Sequence, residues 1–424
     1  MDAERQQVDI MTPPQGHFLT SPFAIAFAGA ISLATALGIG RFAFTPLLPM
    51  MLHDGTIDLP GGSVLATANY IGYLLGAILA AMQPALLARF KWLPRLPAAG
   101  IVRWGLLVTA ILAGAMALPF PLLWPSVRFV AGIASSYVFV FSMGWCIAHL
   151  SRVDRARLGG LMFTGPGIGI TASGFIVGSL NAIPVSAATG WLTFAGLALV
   201  MTALVWFIFQ GNEPLPAAIS VTSTGQPEAH SRAEVTMLVI AYGLAGFGYI
   251  ITATFLPVIA RETLPPSIWI DALWPIFGIG TIIGALLSML VPKRFDLRNS
   301  LAVMYGIQAL GVIAAVVSPT AAGFAIGAFF AGLPITTISF FAIQEARRLR
   351  PHNAAALIGL ITAIYGIGQI VGPPLVTLML ARAPTHAQAF AISLGIASAT
   401  LILGGIMFAA MARVWPTAPS SLKR

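Results

Sequence analysis

From Ser21 to Trp415 the chain is an almost unbroken succession of apolar runs, each close to the roughly 20 residues that a helix needs to cross a bilayer's hydrocarbon core. Of the 424 residues, 58% are hydrophobic and 8% charged, whereas a soluble domain carries roughly a quarter of its residues as charged groups. Lipid is therefore the solvent for most of this chain. In lipid every backbone N–H and C=O must be paired within the protein, which leaves helices and closed barrels. These runs are too long and too uniformly apolar for the alternating barrel strands of about ten residues, so the sequence predicts an all-α membrane protein.

Apolar runs read against Pro, Gly and charge predict twelve spans: near 21–52, 61–87, 97–118, 121–149, 156–180 and 186–210, then near 235–261, 267–291, 299–318, 320–346, 353–381 and 386–413. Between the two sets lies one long polar stretch with Pro214, Pro216, Pro227 and many Ser and Thr residues. The expected organisation is a tail at 1–20, a six-helix bundle at 21–210, a linker at 211–233, a second six-helix bundle at 234–414 and a tail at 415–424. The first apolar run is far longer than the core of a signal peptide, so the leading tail is read as retained and cytoplasmic.

Loops kept in the cytoplasm are rich in Lys and Arg. Eighteen of the 22 basic residues fall on one side of the predicted spans, among them Arg89, Lys91, Arg95, Arg152, Lys293, Arg294, Arg298 and Arg348, while the opposite loops hold Arg261 and Arg382. The basic side is read as cytoplasmic, with both termini there, in a bacterial-type inner membrane. Topology thus accounts for the net charge of +9, and no nucleic-acid partner is expected. Cys146 is the only cysteine, and the six histidines are scattered at span ends, in the tail and in the linker. No metal site, cofactor or catalytic residue is expected, which argues against a membrane enzyme.

The halves repeat each other. Gly38, Gly40 and Pro49 in the first span match Gly246, Gly248 and Pro257 in the seventh at an offset of 208, and Gly160, Gly167 and Gly169 match Gly359, Gly366 and Gly368 at 199. Duplication of this kind belongs to carriers whose site lies where the halves meet, near the midplane.

The whole chain resembles the major facilitator superfamily. Arg128-Phe-Val-Ala-Gly132 is similar to the Arg-containing motif of that superfamily's fourth span, and Gly165-Pro166-Gly167-Ile-Gly169 to the Gly-Pro motif of its fifth. The loop from Ala80 to Arg95 keeps the basic residues of the gating motif, Arg89, Lys91 and Arg95, but lacks its Asp; Lys293, Arg294, Asp296 and Arg298 come nearer the pattern. Gly38 to Met50 followed by Ala68-Asn-Tyr-Ile-Gly-Tyr-Leu-Leu-Gly76 resembles the YbfB/YjiJ-type branch. The resemblance implies a secondary transporter of two pseudo-symmetric six-helix bundles that moves a small molecule across the bilayer by alternating access; a monomer is expected, with the cargo exchanged for a counter-anion, carried by facilitated flow or moved with protons.

Two basic residues fall inside predicted spans. Arg41 lies about twenty residues into the first, where a guanidinium costs about 2.5–3.5 kcal/mol and needs a partner or a wet cavity. Its planar fork suits a carboxylate or phosphate, so substrate contact is one reading and capping of carbonyls freed near Gly38, Gly40 and Pro46 is the other. Arg128, nearer a span end, contacts substrate or snorkels to the interface. All 13 acidic residues fall in tails, loops or span ends, which disfavours exchange of cations for protons and points to an organic anion. Proton-coupled efflux of mixed hydrophobic compounds is the alternative. Asn69, Tyr73, Tyr249, Thr252, Tyr365 and Gln369 are candidates to complete a substrate site, with interhelical hydrogen bonding as the plainer reading. At the 208 offset Tyr249 occupies the position of Arg41, so the two are expected to face each other. Trp274 is read as an interfacial belt residue or a site residue. Gly38, Gly40, Pro49, Gly132, Gly165, Pro166, Gly167, Gly169, Gly248 and Pro257 are assigned to helix packing and gating.

Overall fold

The computed structural model describes residues 21–90, 92, 96–153, 155–211, 231–291, 295–351 and 354–416. The tail at 1–20, nearly all of the linker, the chain from 417 on, and Lys91, Arg95, Lys293 and Arg294 lie outside the described residues.

Among the described residues every regular element is helical, and twelve helices are long and apolar enough to cross a membrane. They are α1 (Pro22–His53), α2 (Leu59–Gln83), α3 (Ala98–Ala115), α4 (Pro121–Arg152), α5 (Leu158–Asn181), α6 (Ala187–Trp206), α7 (Arg232–Thr263), α8 (Trp269–Leu290), α9 (Leu297–Val317), α10 (Ala321–Leu349), α11 (Ala356–Arg382) and α12 (His386–Val414). Side chains that accept from the first free amides fix several starts: Ser21 for α1, Asp58 for α2, Ser231 for α7, Thr320 for α10 and Thr385 for α12.

Helix α1 is not uniform. It is α-helical over Pro22–Leu33, widens to a π-helix over Ala34–Phe42, and resumes as α-helix over Phe44–His53. Gly38 and Gly40 weaken the helix there, and Pro46 has no N–H to give to the carbonyl four residues back, at Phe42. A π-turn is uncommon and occurs preferentially at functional sites. In α7, Pro257 leaves the Ala253 carbonyl without its helical donor for the same reason. The Thr45 hydroxyl of α1 donates to that carbonyl at 2.7 Å.

Thr45 and Ala253 are 208 residues apart, so equivalent positions of the two halves touch directly. The seam between the halves is completed by α5 against α8 and α2 against α11. Along α5, Gly160, Gly167 and Gly174 recur every seven residues and meet Met289, Ile282 and Pro275 of α8.

Within the first half the glycines bring backbones together. A Cβ added at Gly38 would lie 2.4 Å from the Gly169 Cα, at Gly165 2.2 Å from the Ala30 carbonyl oxygen, and at Gly132 2.1 Å from the Asn69 oxygen. Gly40 faces the side chains of Ser135 and Thr109, Gly248 faces Leu401, and Pro166 opens the α-helical part of α5. Gly72→Ala makes a sharp test of this packing. Its Cβ would fall 1.9 Å from the Phe129 carbonyl oxygen, a backbone atom that moves only if α2 and α4 part. Thermal unfolding of the purified protein should register a loss of about 1–3 kcal/mol, the range for overpacking, whereas Gly196→Ala, with open space around it, should be neutral or slightly stabilising.

Candidate functional site

Arg41 lies in the last turn of the π-helical segment of α1 and is 5% exposed. Its Nη2 donates to Gln369 Oε1 of α11 at 2.7 Å, and Gln369 Nε2 donates to the Tyr249 hydroxyl of α7 at 2.7 Å. Arg41 and Tyr249, equivalent at the 208 offset, are therefore joined through one amide. A guanidinium only donates, so the amide must turn its oxygen to Arg41 and its nitrogen to Tyr249.

Aromatic rings enclose the charge. The Arg41 Cζ lies 4.5 Å from the centre of the Tyr73 ring, 4.8 Å from Tyr70 and 5.2 Å from Phe42, all within cation–π reach. On the other side of the seam Tyr365 stacks on Tyr242 at 4.6 Å and on Tyr249 at 5.8 Å. Five of the seven tyrosines of the chain thus gather around one arginine. The Arg41 Nε has no acceptor among the described residues.

The two sides of this cluster differ. Toward the basic face, Tyr73, Tyr365 and Ser339 keep partial exposure, and Ser339 accepts from the Tyr242 hydroxyl at 3.0 Å. Toward the opposite face the halves are sealed. Besides Thr45 on Ala253, the hydroxyls of Tyr70 and Thr254 lie 2.8 Å apart, and Trp274 Nε1 donates to Ser173 Oγ at 3.1 Å. Phe42 and Trp274 bring their ring centres to 6.4 Å. Above this seal a vestibule of about 970 Å³ opens between the halves, lined by Pro49, His53, Asp54, Asn181, Arg261 and Asp271 among others. Its floor at Pro49 is eight residues from Arg41, or about 12 Å along the helix axis.

Several expectations need correction. Arg128 does not snorkel: it is 2% exposed, and its Nη1 and Nη2 donate to the Gly40 and Arg41 carbonyl oxygens, both at 3.1 Å, with the Phe44 ring 4.9 Å from its Cζ. Backbone capping, one of the two readings of Arg41, is performed by Arg128, because the π-helix leaves carbonyls open toward α4. Asn69 supports that arrangement by donating to the Arg128 carbonyl at 3.0 Å. Trp274 is not at the lipid interface but 1% exposed within the seam. Thr252 is separated from Arg41. The face of α7 toward the seam carries Tyr242, Tyr249 and Ala253, while Thr252 turns into the second half beside Leu256, Val312 and Phe324.

The structure brings Arg41, Tyr73, Tyr249, Tyr365 and Gln369 together and adds Tyr70, Phe42 and Tyr242. Tyr70 could have been found in the sequence, since it precedes Tyr73 by three residues and so shares its helical face. The described acids near the membrane ends, such as Asp54, Asp271 and Glu345, leave none in contact with Arg41. Among the described residues no three His, Cys, Asp or Glu side chains come together as metal ligands.

Twelve helices in two related halves, with a buried polar site at their seam, define a secondary transporter of the major facilitator type, not an enzyme. The chain belongs to the family described as "Uncharacterised MFS-type transporter YbfB", whose profile matches residues 33–409. Among solved structures, a point mutant of the nucleoside transporter NupG has a similar fold, with a TM-score of 0.67 and 16% identity over 91% of this chain and 99% of that one. A second NupG structure gives a TM-score of 0.67 and 14% identity, covering 93% and 99%. Among curated proteins no sequence matches this chain.

Proposed function

We propose that the protein carries a small organic anion across a bacterial-type inner membrane, as a monomer, by alternating exposure of the Arg41 site. The observation that carries this reading is a permanent guanidinium at the seam, buried, with Nε unsatisfied and no described carboxylate against it. An anionic cargo supplies the missing charge. The tyrosine rings lie over the guanidinium at cation–π distance, so the cargo meets its in-plane N–H fork, the geometry that fits a carboxylate. Tyr73, Tyr365 and Tyr249 line the approach, and Arg128 and Asn69 position the π-helical segment without touching cargo.

In this reading the basic face is cytoplasmic, both termini included, and the cargo path on that side runs past Tyr73 and Tyr365. The seal at Thr45, Tyr70 and Trp274 then closes the path to the outer vestibule, and the glycine row of α5 lets the halves rock. Efflux of cations in exchange for protons would need a carboxylate at the depth of Arg41, and the described acids sit near the helix ends.

The test is uptake by the wild-type protein in liposomes, using labelled carboxylates, with cationic dyes and nucleosides as controls. Saturable carboxylate uptake, inhibited by other carboxylates and not by the controls, is expected. Uptake of dyes or nucleosides that carboxylates fail to inhibit sinks the proposal.

A further inference from the structure

We infer that the Gln369 amide is an internal substitute for the cargo, which lets the carrier reorient without cargo and so carry out net transport rather than obligatory exchange. The inference rests on the anion reading of Arg41 and goes beyond it.

Any carrier that passes through an occluded arrangement must bury its site in both directions of the cycle. For this one the group that matters is a guanidinium that cannot lose its proton. With an anion bound, the charge is neutralised. Without one, a bare buried charge would raise the barrier to the return step steeply, because a buried ion stripped of its partner is strongly destabilising. Gln369 answers that need. Its Oε1 lies 2.7 Å from Arg41 Nη2, in the kind of position that one oxygen of a carboxylate would take, and it comes from the other half of the protein. The amide is aimed by the Tyr249 hydroxyl, 2.7 Å from its nitrogen, and is itself 2% exposed. A neutral amide binds a guanidinium more weakly than a carboxylate does, so cargo displaces it.

The chain Arg41–Gln369–Tyr249 therefore acts in two ways. It competes with cargo for Arg41, which lowers apparent affinity by the fraction of time the amide is in place. It also bridges the halves when cargo is absent. Gln369 is a positioning residue in this scheme, not a cargo ligand.

The experiment compares two modes in liposomes with one labelled carboxylate: net uptake into vesicles without internal substrate, and exchange into vesicles preloaded with unlabelled substrate. Gln369→Ala should lower the ratio of net uptake to exchange by about tenfold, and binding of the carboxylate in detergent should tighten by up to about tenfold as the internal competitor is lost. Tyr249→Phe, which removes one hydroxyl, should shift the ratio in the same direction by less. Gln369→Glu should raise KM in both modes at least about tenfold, since a carboxylate there competes with cargo for Arg41.

Equal loss of both modes in Gln369→Ala, together with weaker binding, would show that the amide holds cargo or the fold and would overturn the inference. An unchanged ratio would overturn it as well. Failure of the wild type to move any carboxylate in either mode is a separate outcome, which removes the anion reading itself.

Discussion

Arg41→Gln should reduce carboxylate flux about a hundredfold while leaving the twelve helices folded. The size follows from the chemistry. A hydrogen bond to a charged group contributes about 1.5–3 kcal/mol net, and the upper part of that range is a factor of about a hundred. Folding should survive because Arg41 leaves no buried counter-charge behind among the described residues: there its side chain donates to a neutral amide, and its Nε has no acceptor. Arg41→Lys separates charge from shape. The ammonium keeps the charge but lacks the planar fork, so carboxylate flux should recover only in part. Helical content by circular dichroism and elution as a single species control for folding. Carboxylate flux in Arg41→Gln equal to wild type would remove Arg41 from the site, whatever the fold does.

Part of this arrangement was legible from residues alone, for reasons that differ by feature. The spans could be read because lipid demands long apolar runs; the expected 21–52 and 386–413 lie within one residue of α1 and α12 at each end. The pairing of Arg41 with Tyr249 followed from the 208 offset, since duplicated halves place equivalent residues about one axis. Contact between Thr45 and Ala253 now shows that offset in atoms. Other features depend on three-dimensional partners. That Arg128 caps Gly40 and Arg41 could not be read from α4, because the need for a cap arises in the π-helix of α1. Trp274 sits in the part of α8 away from the basic face, as a belt residue would, and only the approach of α5 with Ser173 makes it part of the seal. Thr252 shares a broad helical face with Tyr249 three residues before it, but it lies on the edge of that face that packs against Val312 and Phe324 of the second half, which spacing alone does not reveal.

Arg298→Met should destabilise the protein by about 3–5 kcal/mol, the range for breaking a buried ion pair from one side. Sequence placed Asp296 and Arg298 near a gating motif, and the structure sets them in a cluster that joins four helices at the basic face. Arg298 is fully buried; its Nη1 reaches Glu234 of α7 at 3.1 Å and the Met411 carbonyl of α12 at 3.2 Å, and its Nη2 reaches Asp296 at 3.1 Å. Glu345 of α10 lies 3.6 Å from the Arg298 Nε, and Arg348 binds both Glu345, at 2.6 Å, and Glu234, at 3.1 Å. Methionine keeps an unbranched apolar stem but removes the fully buried cation, so Glu234 and Glu345 are left with the partly exposed Arg348 as the positive partner they share. Adding Glu234→Gln should then restore part of the stability, because neutralising one carboxylate relieves the excess negative charge; the same change alone should be destabilising. Unfolding of purified protein, followed by heat or denaturant, measures all three variants. A loss within about 0.5 kcal/mol for Arg298→Met, the ordinary range of surface substitutions, would mean that the cluster is electrostatically idle and that helix packing alone holds the basic face of this half together.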